Sequence, residues 1–228
     1  MTTTRAAPEY ADLHLAPQHE RLLIASAIDP AVAKARHYAS ILNTPAVLAD
    51  CGFSEPQRQL VPGLLIHVHP VLEDNPDPRI VHYQFRPDTP RVQLNGKLIK
   101  YETPAGAHMA VDAHPFIRAQ LRDPSVVLYL TEGLRKVDAA ISKGLCCIGL
   151  LGVTTWRGTN AVRGLVALAD WNEIALRGRE IFIIYDSDVM RKPEVQKALV
   201  ALAAYLAAKG ARPQTIILPE IPEEGTPS

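Results

Sequence analysis

The sequence predicts an α/β fold whose second half is a small parallel sheet flanked by helices, and three observations predict it. Two short apolar runs, Val126-Val127-Leu128-Tyr129-Leu130 and Ile181-Phe182-Ile183-Ile184-Tyr185, show no alternation with polar residues, as expected of strands buried on both faces of a parallel sheet. Helical patterns separate them from two further runs, Leu145–Leu150 and Thr215–Leu218; strands alternating with helices imply right-handed crossovers. Both of the first runs end abruptly in acid, at Thr131-Glu132-Gly133 and at Asp186-Ser187-Asp188. Residues just past the carboxyl ends of parallel strands form the binding crevice of open α/β sheets.

Taken in order, the chain divides into residues 1–60, a helical segment; 61–122, an antiparallel, β-rich, basic subdomain; and 123–228, the α/β domain. A short helix is expected from Pro17 to Ile28, and Asp29-Pro30 opens a second through Tyr38 as a cap followed by proline in the first turn. Thr44-Pro45 and Ser54-Glu55-Pro56 repeat that signal. From Gly63 the texture becomes β: Leu64–His69 reads as a strand ended by Pro70, and Ile80–Arg86 alternates like a half-buried strand. Asn95-Gly96 is a hairpin turn joining Val92–Leu94 to Lys97–Tyr101. Thr103 to Pro124 reads as a polar bridge. In the α/β part, Leu134, Val137 and Ile141 share one helix face closed by Gly144, and Gly152 to Gly164 is a glycine-spotted loop holding Trp156, Arg157 and Arg163. Asp170 and Glu173 make a capping-box pattern for a short helix, and Pro193 opens a long helix closed by Lys209-Gly210.

Composition bounds the function. Lys plus Arg equals Asp plus Glu at 24 each, so nucleic-acid binding requires a local patch rather than a global basic field. One candidate patch runs from Arg79 to Lys100, where Arg79, Arg86, Arg91, Lys97 and Lys100 face a single acid, Asp88. Two arginines flanking the Pro87-Asp88-Thr89-Pro90 turn suit phosphate contacts, and Arg157 is a further nucleic-acid candidate. No run approaches the roughly 20 apolar residues of a membrane span. Three cysteines, Cys146 and Cys147 inside an apolar stretch, make neither a disulfide framework nor a metal knuckle, which is expected of a cytoplasmic protein. His67 and His69 point to one side of a strand, a packed or hydrogen-bonded pair rather than a metal pair, since no third ligand accompanies them.

The acids carry the chemistry. Asp186 and Asp188 lie where the chain leaves its strand, so both can reach one oxygen-loving ion. Mg²⁺ takes one or two protein carboxylates and fills its other positions with water and phosphate oxygens. Glu132, from the other strand end, completes a second ion site or acts as general base, and Lys136 is placed to meet a phosphate or to pair with Glu132 or Asp138. Phosphoryl and nucleotidyl transfer need such charge neutralisation and in-line positioning.

Thr131-Glu132-Gly133, Lys136-x-Asp138 and Asp186-Ser187-Asp188 together resemble the TOPRIM domain of bacterial primases, topoisomerases and OLD-family nucleases. The likeness is greatest to the TOPRIM-like domain of primase and helicase proteins carried by plasmids, phages and integrative elements. Tyr83-Gln84-Phe85-Arg86-Pro87-Asp88, Pro90-Arg91 and Lys100-Tyr101-Glu102-Thr103-Pro104 resemble the segment preceding that domain, so the likeness covers about residues 60–220. It implies a four-stranded parallel sheet with flanking helices and a Mg²⁺ or Mn²⁺ site. Glu132 would be general acid/base and metal ligand, Lys136 catalytic, Asp186 and Asp188 metal ligands, and Arg86, Arg91, Lys97 and Lys100 template contacts. The implied function is a primase-type nucleotidyltransferase acting on single-stranded DNA with nucleoside triphosphates, beside or fused to a helicase, in mobile-element replication. A binding-only TOPRIM module and an OLD-type nuclease are the alternatives. Relatives continue into a further acidic segment where this sequence has Glu220 and Glu223-Glu224, which suggests a domain of a longer protein or a degenerate copy.

Overall fold

In the computed structural model, residues 10, 13–93, 96, 98–160, 162–185 and 192–218 are described. Four short helices open the chain: α1 (Pro17–Ala25), α2 (Pro30–Ala35), α3 (Pro45–Asp50) and α4 (Glu55–Arg58). Each carries proline in its first turn, where the missing N–H has no intrahelical partner to lose. Asp29 caps α2 by accepting from the Ala31 N–H. Thr44 does not cap α3; its hydroxyl bonds Asn43 Oδ1 instead.

A strand that the sequence reading missed, β1 (Ala39–Ile41), follows α2 and pairs antiparallel with β2 (Gly63–His67), which pairs antiparallel with β3 (Tyr83–Pro87). Three residues with a serine at the centre leave too little pattern to detect. The Asn95-Gly96 hairpin signal corresponds to a two-residue ladder, β4 (Arg91–Val92) against β5 (Leu98–Ile99).

The second half is the expected parallel sheet. It contains β6 (Leu128–Glu132), α5 (Leu134–Ile141), β7 (Cys147–Leu150), β10 (Glu180–Tyr185), α6 (Pro193–Ala208) and β11 (Arg212–Ile217), with strand order β11-β10-β6-β7, all parallel. Between β7 and β10, the expected loop contains a small antiparallel ribbon, β8 (Arg157–Thr159) and β9 (Leu165–Ala167). Asp170 does not cap a helix. It is buried in a 3₁₀ turn, where it accepts from the Leu72 N–H at 3.3 Å, and burial pushes its carboxyl upward.

The polar bridge at 103–124 is the largest departure from expectation. Ala110 to His114 are fully buried, and Pro115–Arg122 form a 3₁₀ helix with Ile117 and Leu121 in the core. Asp112 lies between the two sheets: it bridges Pro70, and it exchanges both backbone hydrogen bonds with Gly149 of β7 at 2.9 Å. A Cβ on Gly149 would come within 2.8 Å of Val137 Cγ2 and 3.5 Å of Asp112 Cβ, so glycine permits the close approach of α5 and this segment.

The Asp112 side chain binds Arg36, the residue after α2. The Arg36 guanidinium is wholly buried and makes two-pronged contacts, to Asp112 at 2.6 and 2.9 Å and to Asp138 of α5 at 2.7 and 3.0 Å. Tyr38 donates to Asp138 at 2.7 Å and the His69 N–H to Asp112 at 2.9 Å. Burial opposes the charge on Arg36, yet the two carboxylates outweigh it and hold the guanidinium protonated more firmly than usual. Almost every donor and acceptor in this network is used. One core cluster accordingly runs from Leu23 and Val32 through Ile66 and Val111 to Leu130 and Ile183. A smaller one gathers Ile41, Leu48, Phe53, Leu65 and Phe85.

Beside the network lie His67 and His69, their ring centroids 4.4 Å apart at 73°, with His37 5.8 Å from His67. The pair is packed, as its spacing suggested. Burial is the main cause that lowers His67 to about 4, and burial followed by the Arg36 charge lowers His69 to about 2.

Removing one partner of a buried ion network leaves an uncompensated charge. Arg36→Met is therefore expected to cost about 3–5 kcal/mol, read as a lower urea midpoint. Gly149→Ala is expected to cost about 1–3 kcal/mol by overpacking against Val137, read the same way. Both histidines are neutral when folded but titrate near 6.5 when unfolded. Between about pH 6.5 and 4 the unfolded chain binds protons that the folded chain refuses, so stability falls as pH falls through that window. The urea midpoint should drop from pH 7 to pH 5, and less so in His69→Gln.

Candidate functional site at the carboxyl edge of the parallel sheet

β6 and β10 are hydrogen-bonded neighbours, and their register pairs Ile181 with Leu128 through to Ile184 with Thr131. The next residues, Tyr185 and Glu132, therefore stand side by side at the same edge. Glu132 is also paired with Leu150 of β7, so it ends β6, the strand between β10 and β7. Tyr185 records its neighbour: burial first, then the Glu132 carboxylate, pushes its phenol upward. Its hydroxyl donates to the Val153 carbonyl at 3.4 Å. Asp186 and Asp188, the other two acids, lie outside the described residues; the chain reaches them directly from Tyr185.

Gly133 makes the strand end usable. Its φ of 91° and ψ of 128° turn the chain out of β6 into α5, while its N–H donates to the Leu150 carbonyl at 2.9 Å. A side chain there would be strained by conformation rather than by space, since nothing lies within 4 Å of an added Cβ. Glu132 is half-buried and Lys136, in the first turn of α5, is exposed. Arg135 points elsewhere, donating to the Tyr101 hydroxyl at 2.7 Å and to Ser26 Oγ at 2.8 Å. Asp138 is turned inward to Arg36 and Tyr38. The Lys136-x-Asp138 motif thus divides between a surface cation and an interior anchor. Among the described residues no group of three or more His, Cys, Asp or Glu side chains is placed to hold a metal ion.

The basic candidates separate. Arg86 of β3 is half-buried beside Asp88, which accepts from His19 Nε2 at 2.8 Å and from Gln18 at 3.1 Å. Arg91 donates to Glu102, a carboxylate only 2% exposed that also accepts from Gln57 at 3.0 Å. Its charge is committed to neutralising a buried acid. Lys100 is exposed, and Lys97 lies outside the described residues. Arg157 sits on a different ribbon, over the Trp156 ring at 5.1 Å. One feature escaped the sequence reading: Tyr205 and Lys209, four apart on and just past α6, join Trp156 and Arg157 around a groove. The i, i+4 spacing of an aromatic and a cation was the available signal. No helix among the described residues is long and apolar enough to cross a membrane.

Residues 116–226 match the family described as Domain of unknown function (DUF3854). No curated protein matches the sequence. Among solved structures, the chain is similar to the zinc-binding and RNA polymerase domains of the Aquifex aeolicus primase, at a TM-score of 0.58 and 12% identity, over 91% of this chain and 51% of that one. It is also similar to the DnaG catalytic core, at a TM-score of 0.54 and 14% identity, over 92% of this chain and 68% of that one. The chain thus spans about half the length of the first of these proteins. At such identities the likeness is one of fold: a four-stranded parallel sheet flanked by helices, resembling the TOPRIM core of primases, with antiparallel β elements beside it.

Proposed function

We propose that the chain is a divalent-metal-dependent, primase-type nucleotidyltransferase domain that acts on single-stranded DNA. The observation that carries the reading is the parallel, in-register pairing of β6 with β10. It supports delivery of Glu132 and the Asp186-Ser187-Asp188 step from adjacent strands to one edge, within a fold similar to primase cores over about nine-tenths of the chain.

The donor set fits a hard cation. Glu132, Asp186 and Asp188 supply carboxylate oxygens, the ligands that Mg²⁺ and Mn²⁺ prefer. Asp186 and Asp188 would hold the ion, with Glu132 as a further ligand or as the base. When bound, the ion would neutralise the triphosphate and align it for in-line attack. As base, Glu132 would accept the proton of the attacking 3′-hydroxyl, and Lys136 would meet a phosphate oxygen. Arg86 and Lys100 are the remaining described candidates for template contacts on the β-rich part, since Arg91 is held by Glu102. The sequence resemblance favours a role in mobile-element replication beside a helicase.

Asp186→Asn with Asp188→Asn should abolish Mn²⁺-dependent primer synthesis on single-stranded DNA, with circular dichroism and the urea midpoint unchanged. Glu132→Gln should lower the rate by at least about 10²-fold. Undiminished synthesis in the double variant, or cleavage of plasmid DNA without nucleotide incorporation, overturns the assignment.

A further inference from the structure

We propose that the groove between the β8–β9 ribbon and the C-terminal end of α6 is a binding site for single-stranded nucleic acid. The assignment deepens the reading above and rests on it for the class of ligand. The groove holds about 510 Å³ and is lined by Trp156, Arg157, Leu165 to Leu168, Asn172, Tyr205 and Lys209. Two cations and no carboxylate are among these residues.

Three features point to a polyanion with apolar faces. First, the cations are held by rings rather than by acids: Arg157 lies 5.1 Å from the Trp156 ring centroid and Lys209 5.8 Å from that of Tyr205. A guanidinium or ammonium resting on an aromatic face is partly ordered in advance yet keeps its charge for an incoming phosphate. Arg91, by contrast, is neutralised in place by Glu102. Second, the rings form one block, Trp156 against Tyr205 at 5.2 Å and Trp171 against Tyr205 at 5.9 Å. The Trp156 indole N–H is buried without a hydrogen-bond partner. Third, the opposite wall is aliphatic and open to solvent: Leu165 is 67% exposed and Val166 49% exposed on a two-stranded ribbon. Cations along a groove with apolar surface between them suit the phosphates and base faces of a single strand held without sequence readout, the buried Trp156 and half-buried Tyr205 rings backing the cations from behind.

Trp156 and Trp171 are the two tryptophans of the chain, so intrinsic fluorescence reports on this groove. Oligothymidylate of about 15 nucleotides, titrated into the full chain, should quench that fluorescence and bind with an affinity that falls with salt. Arg157→Ala with Lys209→Ala should weaken binding at least about tenfold and lower the salt slope by about 1.4, the value for two phosphate contacts on a single strand. Val166→Asp, a change at a solvent-exposed position that does not depend on the rings, should also weaken binding by bringing a carboxylate to the groove. Unchanged affinity, slope and quenching in both variants overturns the proposal, as does a wild-type chain without affinity for oligothymidylate. Quenching by oligoglutamate but not by oligothymidylate overturns it in favour of an acidic protein partner. If the wild-type chain synthesises no primer while the groove variants still lose DNA, the polymerase reading fails and the groove stands.

Discussion

The ion network of Arg36 with Asp112 and Asp138 is the constraint on which the arrangement of the molecule depends. It joins three parts of the chain that are far apart in sequence: the end of α2, the segment between the sheets, and α5. Two carboxylates around one guanidinium are tolerable in the interior only because further donors complete them. Tyr38 and the His69 amide do so. Such a cluster adds little net stability compared with an apolar replacement, but it permits few alternative packings. Its geometric effect is to set α5 in place, and α5 begins two residues after β6 ends, across Gly133.

That placement connects the interior to the proposed site. Glu132 stands at a strand end whose exit is shaped by Gly133, whose neighbour in β10 is Tyr185, and whose following helix is anchored through Asp138. Within one seven-residue stretch, Glu132 faces the edge of the sheet while Asp138 is sealed beneath it. The same helix presents Lys136 to solvent and ties Arg135 to Tyr101 and Ser26. A motif that looks uniform on the page therefore does two kinds of work, and burial separates them.

Much of the architecture was legible because it depends on local pattern. The apolar runs became β6, β7, β10 and β11, and the proline-opened helices begin at Pro17, Pro30, Pro45 and Pro193. Elements of two or three residues, β1 and the β8–β9 ribbon, were not legible, since so few positions show no periodicity. Residues 110–114 misled for a different reason. Asp112 and His114 are polar in composition yet wholly buried, because each has dedicated partners: Arg36 and the His69 amide for one, the Val32 carbonyl and Phe116 N–H for the other. Partners distant in sequence cannot be inferred from hydropathy.

The sequence by itself determined that two acid-tipped strands exist, that helices return between them, and that carboxylate chemistry is available where they end. These follow from side-chain period and from residue type, which are local properties. Only the tertiary structure decided that the two strands are adjacent and in register, that Arg91 is consumed by Glu102, and that Trp156, Arg157, Tyr205 and Lys209 converge on one groove. Those outcomes depend on which surfaces meet and on which charges are neutralised when they do. Neither is written in the order of residues along the chain; both are set by packing across it.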